Sequence, residues 1–131
     1  MSLLVLSEHD VDEIIESFRP EDLEFMMASA FSQYSSHPED VQMPQRTTVS
    51  TDDQTVLFMP AHLKGLKKGQ LAIKIVSVPR GASSSRGLPA TTVVLDESTG
   101  ETKAIINARK LTPLRNAAGM LYRRRKAQAH F

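Results

Sequence analysis

No cysteine and no tryptophan occur among the 131 residues. The first absence excludes a disulfide scaffold, a Cys-ligated zinc or iron–sulfur site, and thiol chemistry. Aromatic residues make up only 5% of the chain, which leaves little for stacking nucleic-acid bases. Uninterrupted apolar runs are only a few residues long, too short to span a bilayer, so no membrane partner is expected. Met1-Ser2-Leu3-Leu4 has no basic segment before its apolar stretch and no extended apolar region after it. That argues against a secretory leader, and the expected compartment is the cytoplasm. His9, His37, His62 and His130 show neither H-x-x-x-H nor H-E-x-x-H spacing, so no metal site is expected. There is no G-x-S-x-G elbow and no Walker sequence. Gly65, Gly69, Gly81, Gly87, Gly100 and Gly119 give no G-x-G anywhere, so the usual dinucleotide-binding turn is absent.

What is present is the composition of a globular chain, 40% apolar and 24% charged, of a length that fits one domain. The net charge of +1 hides a division. Residues 1–63 carry twelve acids against Arg19 and Arg46, a net of −10; residues 64–131 carry fourteen Lys and Arg against Asp96, Glu97 and Glu101, a net of +11. Such a division fits a nucleic-acid arm. It equally fits an acidic helical layer over a sheet whose basic residues meet small anions.

Leu3–Leu6 reads as a short strand. Ser7 and Asp10 form an S-x-x-D capping pair, and Val11, Ile14, Ile15 and Phe18 follow at helical spacing. Arg19-Pro20 ends that helix and opens a second, because proline suits a first helical position. The second helix is expected to bury Leu23, Met26, Met27, Ala30, Phe31 and Tyr34 on one stripe. Residues 35–44 read as loop. Arg46–Thr51 and Gln54–Met59 read as a hairpin turning at Asp52-Asp53. Pro60–Gly69 reads as a turn with some helical character, Leu71–Val78 as a strongly apolar strand, and Arg80–Pro89 as a loop. Ala90–Leu95 and Thr102–Asn107 form a second hairpin. Thr112-Pro113 supplies a cap and a first helical residue for a last helix. The predicted class is α+β: a mostly antiparallel or mixed sheet of about six strands, two N-terminal helices on one face, and a C-terminal helix.

Three cations are candidates for anion binding. Lys74 sits in Leu71-Ala72-Ile73-Lys74-Ile75-Val76, apolar at both parities and so expected to be buried on both faces. A buried ammonium needs a partner; the alternative is an edge strand whose lysine reaches solvent along its stem. Arg46 opens a strand after Met43-Pro44-Gln45, and a guanidinium can grip a carboxylate through two parallel hydrogen bonds. Arg115, with Asn116, lies in the first turn of the last helix. There a cation opposes the helix dipole unless an anion accompanies it. The basic run Arg123-Arg124-Arg125-Lys126 reads as a solvated helix end, and no nucleic-acid partner is expected.

An ordered series of motifs carries a resemblance. Met43-Pro44-Gln45-Arg46, Leu57-Phe58-Met59-Pro60-Ala61 and Ala72-Ile73-Lys74-Ile75-Val76-Ser77 come first. Gly87-Leu88-Pro89-Ala90, Val94-Leu95-Asp96 with Thr99-Gly100-Glu101, and Leu111-Thr112-Pro113-Leu114-Arg115-Asn116-Ala117-Ala118-Gly119 follow. Over residues 1–119 the chain resembles the N-terminal part of the ornithine cyclodeaminase/mu-crystallin family.

The resemblance implies a substrate-binding and dimerisation domain at 1–119, incomplete, followed by a divergent basic helical tail at 120–131. It implies a small amino-acid or imine ligand whose carboxylate is held by Arg46, Lys74 and Arg115, and a homodimer joined through the sheet edge. It also implies NAD(P) in the full-length family, with Asn116, where many members have threonine, and Thr112 near the cofactor. No catalytic residue is assigned, and no cofactor is expected to bind this chain alone, because the family's Rossmann domain is not in the sequence. The chain therefore reads as a truncated member, the N-terminal half of an NAD(P)-dependent amino-acid or imine oxidoreductase or cyclodeaminase, inactive by itself. The alternative is a non-catalytic interaction protein that pairs with a full-length homologue.

Overall fold

The computed structural model describes residues 2–65, 68–81 and 87–129. Its fold is α+β: one mixed seven-stranded sheet and three α-helices. Strand β1 (Leu4–Leu6) is followed by helices α1 (Glu8–Ser17) and α2 (Pro20–Ser36), then a 3-10 turn at Pro38–Asp40. Strands β2 (Val41–Gln42), β3 (Thr47–Ser50), β4 (Gln54–Leu63), β5 (Gln70–Pro79), β6 (Ala90–Leu95) and β7 (Thr102–Asn107) come next, and helix α3 (Leu111–Ala129) closes the chain. The sheet runs β1-β7-β6-β5-β4-β2, with β3 also on β4, and its one parallel pair among the described strands is β1 with β7.

The helix starts follow local chemistry. Ser7 Oγ accepts from the Asp10 N–H at 3.2 Å and Asp10 Oδ2 accepts from the Ser7 N–H at 2.7 Å, the reciprocal cap expected of S-x-x-D. Pro20 opens α2, with Asp22 accepting from the Arg19 N–H at 3.1 Å. Helix α3 begins at Leu111 rather than after a Thr112 cap. Pro113 is then its third residue, which costs nothing because the first-turn N–H groups have no partner within the helix.

Three expectations are corrected, the first being residues 35–44, where the end of α2, the 3-10 turn and β2 replace most of the expected loop. Pro60–Leu63 is strand, not turn, and extends β4 to ten residues. On the outer side of β4, β2 finishes opposite His62 and β3 starts opposite Phe58, so Pro60 falls between them. A residue without an N–H is tolerated where no strand lies alongside. The α2 stripe is also rotated from the predicted one. Leu23, Met27 and Phe31 turn inward with Glu24, whereas Met26, Ala30 and Tyr34 are exposed. Part of the expected loop at Arg80–Pro89, residues 82–86, lies outside the described residues.

The core is thin. Val76, Ala90 and Ala108 are buried together, with Met59 and Leu111 packed on them. This cluster ties the start of α3 to one face of the central strands. Along α3, Gly119 faces Phe31 and Met27 of α2, and the Phe31 and Tyr122 rings stack at 6.0 Å. Lys110 Nζ pairs with Asp12 Oδ2 at 2.7 Å and Arg125 Nη1 with Glu24 Oε2 at 3.2 Å. The basic C-terminal helix thus meets the acidic N-terminal ones.

Candidate carboxylate-binding cleft

Strand register sets out the cleft. Met59 on β4 lies opposite Lys74 on β5. Thr47 on β3 lies opposite Phe58, so Arg46, one residue earlier, falls beside Met59. Directly opposed residues share a face of a sheet, which gives the row Arg46, Met59, Lys74. Val76, two residues beyond Lys74, points the same way, into the cluster that holds Leu111. The first turn of α3 is thereby fixed over this face, and its Arg115 overhangs the row.

The result is an open cleft of about 810 Å³. It is lined by Met43, Pro44, Gln45, Arg46, Thr48, Met59, Pro60, Ala61, Lys74 and Arg115. Three side chains of the lining are cationic and none is acidic. Strand β5 lies between β4 and β6, so the edge-strand alternative for Lys74 is excluded. Lys74 is half-buried, and burial together with the nearby Arg115 guanidinium holds its ammonium below the ordinary lysine range. Among the described residues neither Lys74 nor Arg46 has a hydrogen-bond or ion-pair partner, and Arg115 donates only to the Asn116 Oδ1 at 3.1 Å. An unneutralised group of this kind favours an anion from solution.

The other two residues singled out from sequence stand apart. Asn116 lines a separate hollow of about 340 Å³ against Met27, Phe31, Gly119, Met120 and Arg123, with Arg115 shared between both. Thr112 is half-buried and borders neither hollow.

Two features escaped the sequence reading. A wider hollow of about 910 Å³ lies beside the end of α2, lined by Ser29, Ser32, Gln33, Ser36, His37, Asp40 and neighbours, with Lys64 its one lysine or arginine. Next to it the 3-10 turn gathers His37, Glu39 and Asp40, whose ligand atoms lie within 4.8 Å of one another. Histidine spacing could not signal this group, because two of its members are carboxylates in a short turn.

The sequence matches the model of the ornithine cyclodeaminase/mu-crystallin family over residues 2–120. The chain belongs to this family. No curated protein matches the sequence closely enough to be informative. Among solved structures, an archaeal alanine dehydrogenase dimer with bound NAD is similar, with a TM-score of 0.71 and 23% identity over 90% of this chain and 35% of that one. A Thermococcus litoralis Δ1-pyrroline-2-carboxylate reductase, in complex with NADH and L-proline, has a TM-score of 0.70 and 21% identity over 92% and 36%. A probable ornithine cyclodeaminase from Bordetella pertussis Tohama I has a TM-score of 0.68 and 18% identity over 89% and 34%. At these identities the likeness establishes the shared fold, and this family member spans about a third of each neighbour's length.

Proposed function

We propose that this chain is the part of an NAD(P)-dependent amino-acid or imine oxidoreductase, or cyclodeaminase, that holds the substrate by its carboxylate. One observation carries the reading: Arg46, Lys74 and Arg115 line a single cleft with no acid among its walls. Burial and the neighbouring Arg115 guanidinium raise the cost of charging Lys74, and a carboxylate beside the ammonium offsets it. Guanidinium groups supply paired donors that fit a carboxylate's two oxygens, while the lysine adds a compact charge from the sheet floor. Family membership agrees with this chemistry, as do an alanine dehydrogenase and a proline-bound reductase among the similar folds.

A dinucleotide does not fit the residues present. No G-x-G occurs in the sequence, and among the described residues the one parallel pair, β1–β7, offers no strand-turn-helix cradle for a pyrophosphate. The family resemblance assigns Asn116 and Thr112 to the side of the cleft facing a cofactor held elsewhere. On this reading the chain alone does not turn over NAD(P)H. The test is a titration of the intact chain with propionate or L-proline, followed by amide NMR shifts. Wild type is expected to bind weakly, with shifts centred on residues 45–48, 59, 61, 74 and 115. Arg115→Ala is expected to weaken binding about tenfold, the usual worth of a charge-assisted pair. Unchanged affinity in that variant would overturn the reading.

A second reading is favoured by the exposed apolar surface on the helices, with Phe25 and Met120 each 72% exposed. In it the chain is a non-catalytic subunit that pairs with a longer homologue. Co-expression with such a homologue and size-exclusion chromatography distinguish it: a mixed complex supports this reading and separate elution rejects it.

A further inference from the structure

The basic run near the end of α3 divides by what each side chain meets. Arg125 pairs with Glu24, whereas Arg123 reaches across to α2, its guanidinium 5.8 Å from the centre of the Phe31 ring. That contact holds the cation beside an aromatic face without neutralising it. Among the described residues Arg123 has no hydrogen-bond or ion-pair partner. Its side chain also borders the hollow of about 340 Å³ that Arg115 and Asn116 line. This hollow is not the carboxylate cleft, because Arg115 is the one residue common to the two linings. Arg115, Gly119 and Arg123 recur every four residues and so follow one another along one side of α3. Their spacing puts the backbones of the two arginines about 12 Å apart along the helix axis. Gly119 presents no side chain between them, and there Met27 and Phe31 of α2 lie 3.6–3.8 Å from where a Cβ would stand. Met120, 72% exposed, adds a third apolar side chain to the lining. The hollow thus joins two guanidiniums and an amide to an apolar floor, and no acid lines it.

We propose that this hollow is a second ligand site, for an organic monoanion carrying an apolar ring, with its carboxylate on Arg123 and its ring against Met27, Phe31 and Met120. The site goes beyond the carboxylate cleft and does not depend on it. A small acid such as propionate leaves the apolar floor uncovered, and an uncharged ring leaves the guanidinium without a partner. A phenyl-bearing carboxylate satisfies both, because charge-assisted hydrogen bonds fix one end and burial of the ring holds the other. The volume lies at the small end for ligand pockets, which suits one ring on a short chain.

Titration of the intact chain with 3-phenylpropionate, its uncharged amide and propionate, followed by amide NMR shifts at fixed ionic strength, tests this. The affinity is read at the amides of residues 119, 120 and 123. There 3-phenylpropionate is expected to bind about tenfold more tightly than propionate, through the buried ring, and about tenfold more tightly than its amide, through the charge. Propionate at equal concentration is expected not to displace it. Arg123→Gln is expected to weaken it about tenfold. Arg123 is exposed and glutamine is a comparable helix former, so the fold persists, which an unchanged circular dichroism spectrum verifies. Equal binding of acid and amide would reduce the hollow to an apolar surface and overturn the proposal. Shifts confined to the cleft residues 45–48, 59, 61 and 74, or displacement by propionate, would return the ligand to the cleft and overturn it as well. Unchanged affinity in Arg123→Gln, or no binding of 3-phenylpropionate by wild type, also overturns it.

Discussion

At the scale of single residues, Lys74 carries the clearest conflict between stability and function. It is held in an interior strand by its neighbours Met59 and Thr92, half-buried, facing Arg115 and no acid. A group whose proton is held less firmly in the folded chain than in the unfolded one favours unfolding wherever it is charged. The unfolded chain binds more protons between the depressed value and the ordinary 10.5, so stability rises with pH across that window. Below the window the cost is fully present. Lys74→Met is therefore expected to raise unfolding free energy at neutral pH by about 1 kcal/mol, remove the alkaline gain, and abolish anion binding. Urea unfolding at neutral and alkaline pH measures the first two effects and anion titration the third. A destabilised variant would mean that the ammonium has a compensation not evident from its surroundings. Lys74 was legible in the sequence because a charge inside a run apolar at both parities is unusual. Its convergence with Arg46 and Arg115 was legible only through the family resemblance, since they lie on three separate elements.

At the scale of elements, several signals that work within a few residues were read correctly, but the Thr112 cap and the Pro60 turn were not, and the face of α2 was misjudged. The Ser7–Asp10 cap, the Pro20 start and both hairpins are local chemistry. The α2 stripe failed because periodicity gives a face but not its exact orientation. Glu24 sits inward because α3 brings Arg125 to it, and nothing among the described residues covers Met26 or Tyr34. Two tests belong here. A Cβ at Gly119 would meet Phe31 and Met27 at ordinary contact distances of 3.6–3.8 Å. Gly119→Ala is thus expected to stabilise the chain by about 0.5–1 kcal/mol through helix propensity, measured by urea unfolding. A loss would show that the two helices require a closer approach.

The second concerns the β6–β7 hairpin. The backbone N–H groups of Ser98 and Thr99, aided by Lys68, lower the Asp96 carboxyl from 3.8 to about 2. Its contribution is present above the unfolded value and disappears as pH falls from about 4 to about 2. Asp96→Asn is accordingly expected to be less stable than wild type at neutral pH, with the difference shrinking as pH falls through about 2 and gone below it. A difference that persists in acid would assign the effect to shape instead of charge.

For the whole molecule, two ion pairs join the acidic and basic halves: Asp12 of α1 meets Lys110, just before α3, and Glu24 of α2 meets Arg125 of α3. That leaves the surface itself to account for. The chain exposes 9538 Å². A compact monomer of 14.5 kDa would expose about 6,900 Å². The excess is larger than the roughly 1,000 Å² that a specific interface needs to hide. The sheet also presents two outer borders. Leu4 and Val5 of β1 are 54% and 62% exposed, and every residue of β3 is exposed, Val49 included. Unpaired strand borders of this kind recruit another strand. Pairing two copies through one border is therefore expected to give a dimer by light scattering. Lysine on a border strand opposes such pairing, so Val49→Lys or Val5→Lys, whichever border is used, is expected to yield monomers with unchanged circular dichroism. A dimer that survives both substitutions would move the interface to the helices, where Phe25, Met120 and Leu121 are exposed. A wild-type monomer would remove self-association altogether and leave a longer homologue as the protein that covers this surface.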